Sequence, residues 1–435
     1  MSSSSLLAPS LPLALAAPAL LAAAVLVAFA TKARPALGLA ALVASVPFAF
    51  YQTVGRTTFT LPKAALLGLI AGLFARHADL RPLAARPARP ILIAGALVLA
   101  ATILSGLQAA HREPVARETF KALEYLLAFA AVLVAARADW DERIVRVTLA
   151  ATVTLVSILA LAQASGRAPS AIAFASHAIP RVAGPLEGPN QLAGFLGLAL
   201  PVLLAFALAR EPLGIELAGL GLGAMALALT LSRAGLLAAL LALGIVAVSS
   251  RPRRTLALLT LSAGITLGLV TLGLQGFAAT HTLAGAFDLL LHFASLAEAQ
   301  DPGQVGRRSE LWSAAIALWR THPFFGVGAG NFELDLGSAG IAGVRTHANS
   351  LYLQSLAEGG IVGLAATLAL VTASVGSFAR GPFREPLVLG ALAASVGFAL
   401  HQCVDLLVFY PKVGELWWIL LALGVSRREA AAPQA

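Results

Sequence analysis

Charge is what this chain has least of. Asp, Glu, Lys and Arg make up 12% of its 435 residues, about half the share found in soluble domains, which excludes an ordinary soluble protein. Cysteine is nearly absent: Cys403 stands alone inside an apolar run, so no disulfide framework or cysteine zinc site can be built. The short alternating segments of a membrane β-barrel are missing as well. Ahead of the first apolar run, Met1 to Ser5 carry no basic residue, and the run itself (11–30) is long for a cleaved signal peptide. It is expected to be a retained span. The excess of basic over acidic residues gives a net charge of +9. In a chain this apolar, Lys and Arg first report topology, and nucleic acid is not implied.

What is there is hydrophobic, 59% of the sequence. Apolar segments fall at 11–30, 36–53, 61–76, 91–109, 118–136, 143–164, 189–209, 213–231, 234–249, 254–274, 349–378, 386–409 and 412–425. Most approach the length needed to cross a hydrocarbon core as a helix. The fold class that follows is all-α: a polytopic transmembrane helix bundle of about 12–13 spans with one larger outer loop containing short helices. The chain divides into an N-terminal bundle (1–275), that loop (276–348), and C-terminal spans with a short tail (349–435).

Alternate connections are rich in basic residues: Lys32 and Arg34; Arg76, Arg81, Arg86 and Arg89; Arg137, Arg143 and Arg146; Arg210; Arg251, Arg253 and Arg254; Arg380 and Arg384; Arg427 and Arg428. The positive-inside rule puts these in the cytoplasm, together with the C-terminus. Thirteen spans place the N-terminus outside; it lies inside if one early segment does not cross. The outer face then receives 165–188, the Ser232-Arg233 turn and the long connection 276–348.

That long connection gathers polar residues. It holds His281, Asp288, His292 and Asp301, then Gly306-Arg307-Arg308. From Ser309 to Thr321, Leu311, Trp312, Ala315, Ile316 and Trp319 recur at helical spacing, predicting a short amphipathic helix suited to the membrane interface. Pro323 ends it. Gly326 to Phe332 reads as a flexible turn, and Arg345 to Asn349 lead into the next span. Read without further comparison, this is equally an ordinary extramembrane cap.

The residues here resemble the signature region of the O-antigen ligase and polymerase superfamily. The resemblance is carried by Arg308-Ser309-Glu310-Leu311-Trp312, by His322-Pro323 through Gly326-Val327-Gly328-Ala329-Gly330-Asn331-Phe332, and by His347 followed by Leu353, Leu356-Ala357-Glu358 and Gly360. Upstream, Gly188-Pro189-Asn190-Gln191 and Thr230-Leu231-Ser232-Arg233-Ala234-Gly235 are similar to further family segments, as is His401 to Asp405 near the end. The resemblance covers about 190 to 425. It implies glycan transfer from a polyprenyl (undecaprenyl) diphosphate on the periplasmic face of a bacterial inner membrane, to lipid A-core by a ligase, to another repeat unit by a polymerase, or to a protein by other relatives.

Such chemistry asks for charge neutralisation on the leaving diphosphate and for activation of an acceptor hydroxyl. Arginine suits the first task through its bidentate, permanently charged fork. Arg233 and Arg308 are the candidates, with Arg307 and Arg345 beside them; snorkelling at the interface is the bland alternative for Arg233. His347 is the candidate base, its ordinary pKa of about 6.5 suiting proton abstraction near neutrality. In the family's commonest pattern the His directly precedes Asn or Ser, whereas here Ala348 separates His347 from Asn349. His322 competes, with a helix-ending role preferred. Asn190 and Gln191 can bind diphosphate or sugar, or cap the span after Pro189. Asn349 and Glu358 complete the set, Glu358 facing the bundle and available to pair with an Arg. His401 and Asp405, one turn apart on one helix face, read more readily as structural. No Asp-x-Asp pair lies outside and no His/Cys cluster has ligand spacing, so a metal-independent, inverting transfer without cofactor is expected. A transporter of polyprenyl-linked glycan is the reading from another class; repeated halves or broken helices with midplane charges would mark it, and no internal repeat is visible.

Overall fold

The computed structural model describes residues 13–48, 51–54, 57–164, 170–174, 177–249, 254–285, 308–341 and 343–431. Its first half contains α1 (Leu13–Ala33), α2 (Pro35–Ser45), α3 (Leu61–Ala75), α4 (Arg89–Ser105), α5 (Arg112–Ala138), α6 (Glu142–Ala164) and α7 (Pro189–Ala209). Then come α8 (Gly214–Leu229), α9 (Arg233–Ser249), α10 (Arg254–Thr280), α11 (Arg308–Thr321), the single turn α12 (Phe332–Asp335), α13 (Leu351–Ala379), α14 (Pro386–His401) and α15 (Pro411–Ala430). The chain is an all-α polytopic bundle. Among the described residues, α5, α6, α7, α13 and the 258–280 part of α10 are long and apolar enough to cross a membrane, and further apolar helices are shorter.

One expected segment departs from this pattern. The run 36–53 is helical only to Ser45, and Tyr51–Val54 (β1) then pairs antiparallel with Thr57–Thr60 (β2). Pro47 has no N–H with which to prolong the helix, and the Tyr, Thr and Val residues beyond it favour extended backbone. A second hairpin, β3 (Ser170–Phe174) with β4 (His177–Arg181), lies in the connection before α7.

Small residues set the helix spacing. A Cβ added to Gly68 or Gly72 of α3 would come within 2.4 or 2.6 Å of the carbonyl oxygens of Ala24 or Ala28 in α1. Such close approach is how helices gain dispersion energy in lipid, which offers no hydrophobic drive. α7 and α15 are buried along most of their length. Their all-round apolar character is therefore satisfied by neighbouring helices.

The basic connections meet at one end. Arg76 donates to the carbonyls of Lys32 and Ala33. Arg34 pairs with Asp139 and Asp141 at 3.3 and 3.2 Å. Arg210 pairs with Glu142 at 2.9 Å and lies 3.9 Å from Glu385, which Arg427 reaches at 3.4 Å. Beneath them Arg146 grips Glu216 with two 2.7 Å hydrogen bonds. The chain's ends of helices opposite this network carry the polar groups described next.

Candidate functional site

The glycine turn after α11 is built into the bundle, contrary to the flexible turn expected. Gly326, Gly328 and Gly330 all take positive φ (68°, 102° and 73°), a region costly for residues with a Cβ. α13 is broken at Gly360 (φ 62°, ψ −158°). The break frees backbone groups that the turn satisfies. Val327 and Gly328 N–H donate to the carbonyls of Ala357 and Glu358, both at 3.0 Å. Ile361 and Val362 N–H donate to the carbonyls of Pro323 and Phe324 at 2.9 and 3.3 Å. Non-helical backbone survives at membrane depth only when paired in this way.

Glu358 completes the dock. Its carboxylate accepts from the backbone N–H of Phe332 at 3.1 Å and from Gln354 Nε2 at 2.8 Å, and bonds the N–H of Gly330. It therefore pairs with backbone rather than with the Arg anticipated. The Asn331 side chain accepts from His111 N–H (3.1 Å) and donates to His111 carbonyl (2.9 Å), which clips the turn to the α4–α5 connection.

A cationic cluster stands at the start of α11, the end away from the glycine turn that follows this helix. Arg233 opens α9 and Arg308 opens α11, both half-buried. The two guanidiniums are near enough for their charges to oppose one another. Arg308 also acts on the field at His401, the last residue of α14. His401 is buried, and its Nε2 lies 4.0 Å from Asp405 Oδ2. The helix ends at His401, so Asp405 sits in the following turn and not on a shared helix face. Gly235 leaves room for the ring: a Cβ there would lie 3.0 Å from His401 Cε1. Four buried nitrogens hereabouts on α11 and at the end of α14, Arg308 Nε, Trp312 Nε1, His401 Nε2 and Gln402 Nε2, lack a hydrogen-bond partner. Orphaned buried donors are costly in a protein interior and call for a ligand or a function.

His347 borders the same region. Its ring packs on Phe409 with centroids 4.0 Å apart. Burial, aided by the Lys121 ammonium, holds its pKa below the usual value against the opposing pull of Glu333, Glu118 and Asp405. The imidazole is therefore neutral near pH 7 and able to accept a proton. The next residue, Ala348, is buried and its N–H donates to Gln354 Oε1 at 2.8 Å. Asn349 follows with φ 49°, a left-handed conformation that Asn tolerates best among residues with a side chain. Ser350 then caps α13.

Residues 218–368 match the O-antigen ligase family. A search of curated proteins found no match. The ligase-family segment includes Arg233, Arg308, Arg345, His347, Asn349 and Glu358 among the residues singled out from sequence. Arg345 is exposed, and Arg307 lies outside the described residues. Asn190 and Gln191 fall before the segment, yet the fold brings them to its edge. Asn190 Oδ1 accepts from Arg181 at 2.9 Å, and Gln191 bonds Tyr410. Neither caps α7, whose N-cap is Gly188. His322 adjoins the end of α11 and its Nδ1 lies 2.9 Å from Thr321 Oγ1, a helix-ending role. α11 buries Leu311, Ala314, Ala315 and Leu318, with Trp312, Ile316 and Trp319 half-buried at its flank.

Two residues near the candidate site, Arg181 and Lys121, were not singled out in the sequence. Arg181, on β4, also donates through Nε to the carbonyl of Thr230 at 2.9 Å, just before Ser232-Arg233. Lys121 pairs with Glu118 at 2.6 Å, donates to Phe409 carbonyl at 3.2 Å and lies 4.0 Å over the Phe409 ring. Charges inside an apolar run mark function by default, and these two stand at the start of one. Among the described residues no three His, Cys, Asp or Glu side chains converge with metal-ligand geometry.

Proposed function

We propose that this O-antigen ligase-family protein transfers a glycan from undecaprenyl diphosphate to a hydroxyl of an acceptor such as lipid A-core, on the periplasmic face of a bacterial inner membrane. The observation that carries the reading is that Arg233 and Arg308, which open α9 and α11, act electrostatically on one another, and Arg308 on His401, with the buried Arg308 Nε lacking a hydrogen bond. Two guanidiniums whose charges act on one another suit a polyvalent anion, which both can grip with charge-assisted hydrogen bonds.

In this mechanism the diphosphate lies against Arg233 and Arg308, with Arg181 and Asn190 bracing the Arg233 turn. His347 takes the proton of the acceptor hydroxyl. The acceptor oxygen attacks the anomeric carbon from the face opposite the diphosphate, and the sugar–phosphate bond breaks. The electron pair leaves on undecaprenyl diphosphate, where the two guanidiniums stabilise the growing charge. Configuration is inverted, and the proton remains on the imidazole until solvent removes it. The loop 276–348 thus supplies Arg308 and His347, while the N-terminal bundle supplies Arg233.

The test is reconstitution in proteoliposomes with undecaprenyl-diphosphate-linked glycan. Lipid A-core and a second lipid-linked repeat unit serve as alternative acceptors, and wild type is compared with Arg233→Ala and His347→Ala. Transfer to lipid A-core by wild type alone supports a ligase, and chain extension instead assigns a polymerase. Undiminished transfer by both variants removes the site. Glycan translocation without transfer assigns a transporter.

A further inference from the structure

We propose that the groove between α4, α5, α13 and α15 is the acceptor's own site, built for an amphiphile with a hydroxyl-bearing head and a hydrocarbon tail. The proposal deepens the reading above and rests on it for the word acceptor. The groove is distinct from the arginine cluster, which stands on α9, α11 and the end of α14. Its wall includes Phe409, the residue on which His347 packs. A molecule seated there has part of its wall, Phe409, in common with the candidate base.

The lining changes character with depth. Glu118, Lys121, Gln354 and Glu358 stand at the end nearest the docked glycine turn. Val98, Leu370 and Trp418 line the deeper part. Along α4 the lining runs from Ser105 back to Gly95, ten residues, or about 15 Å of helix. A polar mouth above a long apolar slot fits a chain-bearing molecule whose head hydrogen-bonds and whose tail does not.

Charge decides which lipid it is. The mouth carries two carboxyl groups against one ammonium, and Lys121 is already paired with Glu118 at 2.6 Å. Glu118 Oε1 is buried without a hydrogen bond and lies 3.7 Å from Arg117 Nε, so the nearby cations and carboxyl groups balance. Such a mouth has no excess positive charge to hold a diphosphate, and its carboxyl oxygens accept hydrogen bonds from sugar hydroxyls. The diphosphate lipid therefore belongs to the arginines, and the hydroxylated lipid to the groove.

The test uses the full-length protein in phosphatidylethanolamine/phosphatidylglycerol nanodiscs. The probe is dodecyl glucoside bearing a diazirine at mid-chain, and labelled peptides are mapped by mass spectrometry. Labelling is expected on the 95–102 stretch of α4 and the 363–371 stretch of α13, and to persist in excess undecaprenyl diphosphate. Gly359 lines the groove, and a Cβ there would meet nothing within 4 Å. Gly359→Leu is thus expected to fold, to cut labelling about tenfold and to leave undecaprenyl diphosphate binding unchanged. Displacement of the probe by undecaprenyl diphosphate would give the groove to the donor and overturn the proposal. Labelling indifferent to Gly359→Leu would overturn it too. Groove labelling with no undecaprenyl diphosphate binding in wild type would instead sink the donor reading, leaving the groove's ligand class standing.

Discussion

The Phe409 ring carries two of the site's polar groups: the His347 imidazole packs 4.0 Å from its centroid and the Lys121 ammonium lies 4.0 Å over it. An aromatic face attracts a cation and excludes water. Here it draws Lys121 towards the imidazole. The ammonium's like charge then reinforces burial in keeping His347 unprotonated.

The pH dependence of transfer follows from this. With the folded-state pKa of His347 lowered from 6.5, the base form persists as pH falls through the value of a free histidine. The acid limb of the rate profile is expected below pH 6.5. Lys121→Met removes a charge that lowers the pKa, so its acid limb moves upward. A wild-type limb above 6.5, measured in reconstituted vesicles, would dismiss His347 as the group titrated.

His347→Gln keeps a polar side chain and removes the base. The expected loss is about 10²- to 10⁴-fold in kcat, with binding of undecaprenyl diphosphate unchanged. Equal losses in kcat and in donor binding would instead place His347 on the diphosphate.

Arg308→Gln should separate activity from stability. Transfer is expected to fall about 10²- to 10³-fold, the scale of one lost transition-state donor. The substitution also relieves the repulsion with Arg233 and removes an orphaned buried donor. The melting temperature in detergent should therefore hold or rise, as at other sites where function is kept at the expense of stability. A marked drop in melting temperature would make Arg308 structural.

Gly326→Ala tests the dock. Its Cβ would meet the Glu358 carbonyl carbon at 2.3 Å in a residue with φ 68°. Strain and overpacking together should cost about 2–4 kcal/mol. Gly359→Ala, with nothing within 4 Å of the added atom, serves as the neutral control in the same thermal melts.

At the basic end, Arg146→Met leaves the fully buried Glu216 without its partner. Loss of one member of a buried pair costs about 3–5 kcal/mol. Adding Glu216→Met should recover much of it. Transfer per folded molecule should stay at the wild-type level, because this network lies at the end of the bundle away from Arg233 and His347.

Hydropathy, charge asymmetry and helix-breaking residues are properties of consecutive residues, and those the sequence determined alone. The apolar runs became helices near the expected places, Pro323 followed the close of α11, and the basic connections gathered at one end. Where a local signal was weak, structure and expectation differ: 36–53 is largely apolar, yet its Tyr51-Gln52-Thr53 tail lies in the β1–β2 hairpin. Only the tertiary structure decided the site. Asn331 meets His111 across 220 positions and Lys121 meets Phe409 across 288, and no local pattern encodes where helices cross. The three glycines looked flexible because glycine permits many conformations in isolation. The broken backbone of α13 selects one of them, since its freed carbonyls and N–H groups have no water at that depth and must find the turn.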